Sequence, residues 1–500
     1  MDFGFILTSI APVFVPSNIL FVLMGAVGGV LIGAIPGLTS TMGIALLIPF
    51  TYGLSIIPSI GMLLGIFCGA MYGGSIAAIL IKTPGTPAAA ATVIDGYPMG
   101  QKGEAGRALS IALFASFSGG IIGALLMTFL SPIISRMALK FGPAEFFTLA
   151  VFGLSVIISI SGKSLVKGLM SAAFGLLIAT IGMDKTSGYL RFTRLQGFYE
   201  GIPFIPGLIG LFAISEVFAN IENILSQGKV VAKISGVLPS LADIKRIATT
   251  IIKGSFIGAF IGAIPGAGGD IAAFVSYSEA KRSSKHPELF GTGVPEGVAA
   301  AECANNACSG GAMIPMLSMG VPGDSNTAVL MGAFILQGFQ PGPMMYVEHL
   351  DIIYAVFASM IVANFAFLVV GMAGVKLFAK VISLERKLLI PAIMVLSLVG
   401  SYAINQNMFD VFFAIAMGAV GYLLQKYEFP LSPILLALIL GPMSETNLRR
   451  FMQIDDGQFW KIFTKPICVI FLLLAVGSMI SSVINQQKIN KRTAKAAGEK

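Results

Sequence analysis

Two short runs of hydroxyl and amide side chains follow Pro-Gly pairs in this chain: Thr39, Ser40 and Thr41 after Gly37, and Ser325, Asn326 and Thr327 after Gly323-Asp324. A helix that starts at such a point has unpaired backbone N–H groups and a positive dipole end, so the run presents donors to an anion such as a carboxylate. The plainer alternative is that Thr39 or Ser40 simply caps a helix. Thr86 after Pro84-Gly85, and Gly266 and Gly268 after Pro265, extend the same set. Asp270 and Asp324 each follow a glycine; with exposed carbonyls they offer the oxygen ligands a hard cation such as Na⁺ takes, although Asp270 can equally cap a helix. Glu302, Asn305 and Asn306 sit among small residues. They either line the same site or join helices through hydrogen bonds of about 0.6–2 kcal/mol each.

The elements that must position these residues lie in a membrane. The chain is 56% apolar and 11% charged, with mean hydropathy +0.88, far from the ~25% charged content of soluble domains. Between Thr51 and Ile81 the only ionisable side chains are Tyr52, Cys68 and Tyr72, a run longer than the ~20 residues a helix needs to cross. Similar runs recur to the end, too long for barrel strands, so the fold expected is all-α and polytopic.

An internal duplication organises those runs. Gly-Ala-Ile-Pro-Gly occurs at 33–37 and at 262–266, an offset of 262 − 33 = 229. Gly73-Gly74 leads to Pro84-Gly85-Thr86, and Gly310-Gly311 leads to Pro322-Gly323-Asp324, at offsets of 237 and 238 (310 − 73 and 322 − 84). Proline removes a helix donor and glycine allows angles a helix does not use. Each Pro-Gly therefore reads as a broken helix or re-entrant hairpin at membrane depth, tolerated where protein buries it or a watery cavity meets it. An isolated pair would read as a surface turn; four in two matching sets do not.

These motifs resemble a known family. Gly33-Ala-Ile-Pro-Gly37, Tyr72-Gly-Gly-Ser75, Pro84-Gly-Thr-Pro87, Asp95-Gly-Tyr-Pro98, Pro265-Gly-Ala-Gly268, Pro295-Glu-Gly297, the stretch from Glu302 to Asn306, and Pro322-Gly-Asp324 are similar to the large membrane subunit of the tripartite tricarboxylate transporters, the TctA family. The resemblance covers most of the chain, from Asn18 to Phe463. It implies a secondary transporter of small carboxylates in a bacterial inner membrane. It also implies an ion gradient as driving force, a small TctB-like membrane subunit and a periplasmic TctC-like solute-binding protein. Alternating access, with Na⁺ favoured over H⁺, is the mechanism expected. Citrate, smaller dicarboxylates and aromatic acids all suit the neutral donors.

The expected organisation is a first transmembrane repeat over 1–226, a cytoplasmic connector over 227–245, a second repeat over 246–445, an extra helix over 446–485 and a disordered basic tail over 486–500. The first basic residue is Lys82, which places the amino terminus outside and the tail in the cytoplasm by the positive-inside rule. An outside start and an inside connector make the repeats inverted, with about 11 or 12 crossings in all. Lys82 either offers a charge to substrate or snorkels to the interface, and Asp95 is expected to shape a turn. Cys68, Cys303, Cys308 and Cys468 lack metal-ligand spacing and read as reduced packing residues.

Net charge +8 falls at span ends and in the tail, where anionic lipid rather than nucleic acid is the partner. No resident cofactor is expected, only a transported cation. The glycines near Asp270 lack the Lys-Ser/Thr ending of a phosphate loop. A hydrolase needs a base beside its nucleophile, and the only histidines, His286 and His349, lie in loop-like sequence. The remaining alternatives are a carrier that works alone and an intramembrane aspartyl enzyme using Asp270 and Asp324.

Overall fold

The computed structural model describes residues 3–160, 164–184, 187–222, 239–381 and 386–498. The first half comprises α1 (Phe3–Ile10), α2 (Pro16–Ala34), α3 (Ser40–Thr51), α4 (Ile56–Ile81), α5 (Val93–Met99), α6 (Ala105–Ala138), α7 (Pro143–Ile160), α8 (Leu165–Ala179), α9 (Phe204–Leu208) and α10 (Ser215–Glu222). The second comprises α11 (Leu241–Gly262), α12 (Gly268–Ser283), α13 (Pro295–Met319), α14 (Ser325–Leu336), α15 (Met345–Glu348), α16 (Leu350–Val381), α17 (Arg386–Asn405), α18 (Met408–Lys426), α19 (Ser432–Ile454) and α20 (Pro466–Gly498). Among the described residues the only sheet is a two-stranded ribbon, Gly182–Met183 against Leu190–Arg191. Arg191 and Arg449 tie it to Glu445 and Asp184. The fold is thus all-α and polytopic.

Glycine is a poor helix former in water, yet this chain builds its most tightly packed helices from it. Without a hydrophobic drive between helices in lipid, close backbone approach supplies the packing energy, and small residues every fourth position permit it. Gly25, Gly29 and Gly33 of α2 face α4, and a Cβ at Gly29 would stand 2.8 Å from Ile66 Cα. Gly65, Gly69 and Gly73 of α4 answer from the other side. Overpacking costs about 1–3 kcal/mol even where side chains can shift, and here the obstacle is main chain. Gly29→Leu is therefore expected to lower the thermal midpoint of the detergent-solubilised protein by several degrees. Gly28→Leu, whose added Cβ meets only Leu47 Cδ1 at 3.9 Å, should leave it near wild type.

The registers give helix directions. Gly25 meets Met62 and Gly33 meets Ala70, so α2 and α4 run parallel. Gly258 meets Ala304 and Gly262 meets Cys308, and α11 and α13 do the same. Gly28 meets Leu47 while Gly43 meets Ile32, so α3 folds back along α2 instead of continuing it; Gly254 beside Ser276 marks the same reversal of α12 on α11. The Pro-Gly turns are hairpin tips.

By the offsets of the duplicated motifs, α4 corresponds to α13 and α6 to α16. Met71 pairs with Asn305 and Cys68 faces Ser309, so α4 and α13 are antiparallel. Leu113 meets Gly371, and Phe117 packs on Phe365 at 5.1 Å between ring centroids, so α6 and α16 are antiparallel too. Corresponding helices running in opposite directions is the relation an inverted pair requires. The copies also interlock: α6 packs along α13, with Gly119 on Cys303 and Gly123 on Ala307. In return α16 packs along α4, with Phe367 stacked on Tyr72 at 5.9 Å.

Six helical segments among the described residues are long and apolar enough to cross a membrane, from Pro16–Ala34 to Met408–Lys426. Seven further apolar helical stretches, of 10–17 described residues each, accompany them. Three boundaries differ from those expected. The helix α11 begins at Leu241, inside the stretch assigned to the connector, with Ser240 as its cap; the part of the connector over 227–238 lies outside the described residues. At that start Arg107 reaches Asp243, 2.5 Å between Nη2 and Oδ1, and holds its carboxyl below the usual range. The helix α12 continues to Ser283, into Ala280–His286, a basic run whose composition reads as a loop, and α20 continues to Gly498 through the tail expected to be disordered.

Candidate functional site

The four Pro-Gly turns meet in two places. Gly37, Gly266 and Gly268 have φ of 92°, 87° and 66°, a left-handed conformation that favours glycine. Gly85 and Gly323 are glycine for a different reason. A Cβ on Gly85 would overlap the Gly33 carbonyl, and one on Gly323 would stand 2.7 Å from the Gly262 carbonyl oxygen. Since Gly33 and Gly262 are themselves copies, both halves make the same contact. Each later tip folds back on the end of the hairpin that precedes it. The Gly85 N–H donates to Gly74 O at 3.1 Å, and the Gly266 N–H donates to Gly323 O at 2.5 Å.

At the first junction α3 meets α14. Thr39 caps α3 by accepting from the Met42 N–H at 3.1 Å, as the plainer alternative has it. Ser40 and Thr41 both donate to Asn326 Oδ1 at 2.8 Å. The Asn326 amide donates to Asp324 Oδ2 at 3.0 Å, while Asp324 Oδ1 accepts from the Thr327 N–H and hydroxyl at 2.8 and 2.7 Å. Asp324 and Thr327 form a capping box. Ser325 lies 2.7 Å from the Ser432 hydroxyl. At the second junction α12 meets the 3₁₀ turn Pro87–Ala90, and a Cβ on Gly269 would stand 3.5 Å from Ala88 Cβ.

Both junctions open on one cavity of about 680 Å³. Thr39, Ser40, Thr41, Thr86, Gly266, Gly268, Asp270, Asp324, Ser325 and Asn326 line it. Thr327 is buried behind Asp324, Gly37 sits beside Glu216 and Asn220, and Gly85 and Gly323 are packed against main chain. The far wall was not read from the sequence: Phe212 and Glu216 on one side, Gln425 and the run from Glu428 to Ser432 on the other. A signal for it exists. Pro203 and Pro206 recur as Pro430 and Pro433, at 430 − 203 = 227, and Ser215-Glu216 recurs as Ser444-Glu445, at 444 − 215 = 229. This third echo begins within the Gln425–Ser432 wall, at Pro430, and falls on Glu216.

Asn305, Asn306 and Glu302 are fully buried and form none of the cavity's surface. The Asn305 amide donates to Met71 O at 3.3 Å, and the Asn306 amide to Glu302 O at 3.3 Å. The Glu302 carboxylate accepts from Thr92 and from Ser116, the latter at 2.7 Å, and so bridges α6 and α13. Lys82 is exposed with φ 61°, its Nζ 5.7 Å from the Tyr97 ring, and it does not line the cavity. Asp95 corrects its reading. It lies inside α5 and shapes a turn nearly 200 positions away, accepting at Oδ1 from the N–H groups of Gly291, Gly293 and Val294 at 2.9, 2.7 and 3.0 Å. Tyr277 donates to its Oδ2 at 2.8 Å. The four cysteines are free and buried.

Four carboxylic side chains, Glu216, Asp270, Asp324 and Glu428, line the cavity, and among the described residues no Lys, Arg or His does. Lys167 approaches Glu428 from outside, at 4.0 Å. Hydroxyls, an amide and two helix starts supply donors; the carboxylates supply negative charge.

A multi-pass helical protein in which apposed half-helices close on a polar cavity has the build of a membrane solute transporter. The sequence matches the Tripartite tricarboxylate transporter TctA family over residues 19–436, and the chain belongs to that family. It is a transport protein and not an enzyme. An uncharacterised 52.8 kDa protein from the TAR-I ttuC′ 3′ region of Agrobacterium vitis is 40% identical over 463 residues, 92% of each chain. An uncharacterised protein from the TAR-II ttuC′ 3′ region of the same organism is 37% identical over 227 residues, covering 45% of this chain and 94% of its own. No solved structure matches.

Proposed function

We propose that this protein imports small carboxylates of the tricarboxylate and dicarboxylate class by alternating access, with a co-transported cation, Na⁺ in preference to H⁺. A periplasmic solute-binding protein delivers the substrate, and a small membrane subunit completes the carrier in the bacterial inner membrane, with the carboxyl terminus cytoplasmic. The observation that carries this reading is the meeting of all four duplicated Pro-Gly turns on a single cavity, with hydroxyl and amide groups at the tips. Helix starts and neutral donors hold a carboxylate without a fixed positive charge. Because the lining carries carboxylates and, among the described residues, no cationic side chain, an entering anion is repelled unless cations enter with it.

Coupling then requires that the cation change the free-energy difference between outward- and inward-facing loaded states. Vesicles containing all three components test this with a panel of labelled citrate, dicarboxylates and aromatic acids, collapsing the Na⁺ and H⁺ gradients separately. Accumulation of one carboxylate class that stops when the Na⁺ gradient is removed is expected. No accumulation of any carboxylate under either gradient would refute the proposal.

A further inference from the structure

A second cavity, of about 350 Å³, lies between α11, α12 and the turn that follows α12. Its lining runs from exposed Lys253 and Lys285 to buried Ser276 and Phe290. Arg246, Glu279 and Glu296 complete the charged part, and they do not cancel the lysines. Arg246 Nε donates to Glu296 Oε1 at 2.6 Å, and Arg282, outside the lining, donates to Glu279 Oε2 at 2.6 Å. Each acid is thus answered by an arginine, while Lys253 and Lys285 have no ion pair among the described residues.

The depth of this cavity matters as much as its charge. Lys253 stands 262 − 253 = 9 residues before the end of α11 at the hairpin tip, about 14 Å along the helix. Half of a ~30 Å hydrocarbon layer is nearly the same distance, so a tip near mid-membrane puts the Lys253 ammonium at the level of lipid phosphates. Ile252, Phe256 and Phe260, spaced four apart on α11 and therefore on one face, are 54, 54 and 72% exposed. Ile257, between them in sequence, lines the cavity, so the cavity adjoins an apolar stripe open to lipid. Snorkelling accounts for a lone lysine at such a level. It does not account for a cavity that a second lysine enters from another element. Glu296 Oε2, in the same lining, is buried and accepts from no described group. An occupant with a phosphate for the lysines and a hydroxyl for this oxygen suits both.

We propose that this cavity binds one anionic glycerophospholipid of the phosphatidylglycerol type. Its phosphate meets Lys253 and Lys285, its headgroup hydroxyls reach Glu296, and an acyl chain follows Phe256 and Phe260. Basic pockets between membrane helices hold anionic headgroups in this way. A choline headgroup brings neither net charge for the lysines nor a donor for Glu296. A free phosphate ion has the charge but gains nothing from the apolar stripe. The site is independent of what the cavity between the Pro-Gly turns transports.

Native mass spectrometry of the purified protein in detergent, titrated with phosphatidylglycerol or with phosphatidylcholine of the same acyl chains, reads the affinity for the first lipid retained. Phosphatidylglycerol is expected to bind about tenfold more tightly or better. Lys253→Gln combined with Lys285→Gln should remove that advantage. Lys82→Gln combined with Lys140→Gln, which deletes the same charge from exposed positions outside the cavity, should stay within about threefold of the wild type. Glycerol 1-phosphate and inorganic phosphate, each in excess, should not displace the lipid. Equal affinity for the two lipids, an unchanged preference in the first pair of substitutions, or an equal loss in the second pair overturns the site. Displacement by either free phosphate makes the ligand a soluble anion and overturns the lipid assignment.

Discussion

Asp95→Ala is expected to destabilise this protein more than any other single substitution of a polar residue. The Asp95 carboxylate is fully buried and accepts four hydrogen bonds, three from the backbone of Gly291, Gly293 and Val294 and one from Tyr277. Truncation leaves those donors facing a cavity, at about 1–3 kcal/mol for each that water cannot reach. A loss of about 4 kcal/mol or more is large against the 5–15 kcal/mol that holds a typical domain together. The damage falls on the contact between halves, since α5 belongs to the first and the Gly291–Val294 turn to the second. Size-exclusion profiles and thermal midpoints in detergent should show partial unfolding or aggregation. Asp95→Asn keeps an acceptor at the Oδ1 position for the three N–H groups and should lose less than half as much. Wild-type behaviour of Asp95→Ala would show that water replaces the carboxylate at no cost, and that the latch is not needed.

The second large effect is on transport. In Asp324→Ala the carboxylate that caps α14 and orients the Asn326 amide is gone. Loss of a cap costs about 0.5–2 kcal/mol, which the surrounding helices can absorb, so the protein should still reach the membrane in normal amount. Asn326, however, is then free to turn away from Ser40 and Thr41, and the first junction loses its shape together with one of the cavity's charges. Uptake of the preferred carboxylate in vesicles is expected to fall at least 100-fold. Asp324→Asn, which retains the cap acceptor, should recover part of the rate. Wild-type uptake by Asp324→Ala would remove the first junction from the transport path.

The two effects differ in how far the sequence announced them. Asp324 was visible as an acid after a Pro-Gly turn with amide and hydroxyl residues behind it. Asp95 was visible only as a turn former, because the turn it shapes is remote and has no mark that refers back to residue 95. The same holds for Glu302, whose partners Thr92 and Ser116 are unremarkable hydroxyls in small-residue sequence. Glu216 and the Gln425–Ser432 wall stand between these cases. Their echo of prolines and Ser-Glu pairs was present at the offset of the other copies, but it is shorter and not anchored by glycine.

What the sequence determined by itself is what lipid imposes without reference to any partner. Apolar runs must be helices because no water pairs their backbone, and Pro-Gly must interrupt them because proline lacks the donor and glycine accepts φ near 90°. The duplication, the membrane class and the set of residues near the turns all follow from that local chemistry. Which turn meets which was decided only in three dimensions. The α3 start of the first half closes on the α14 start of the second, and α12 closes on the turn after Gly85, because interlocked antiparallel copies bring the opposite halves together. The Asn305 amide bonded to Met71 and packed on Gly269 is a consequence of that crossing, and no pattern along one chain segment encodes a contact between two.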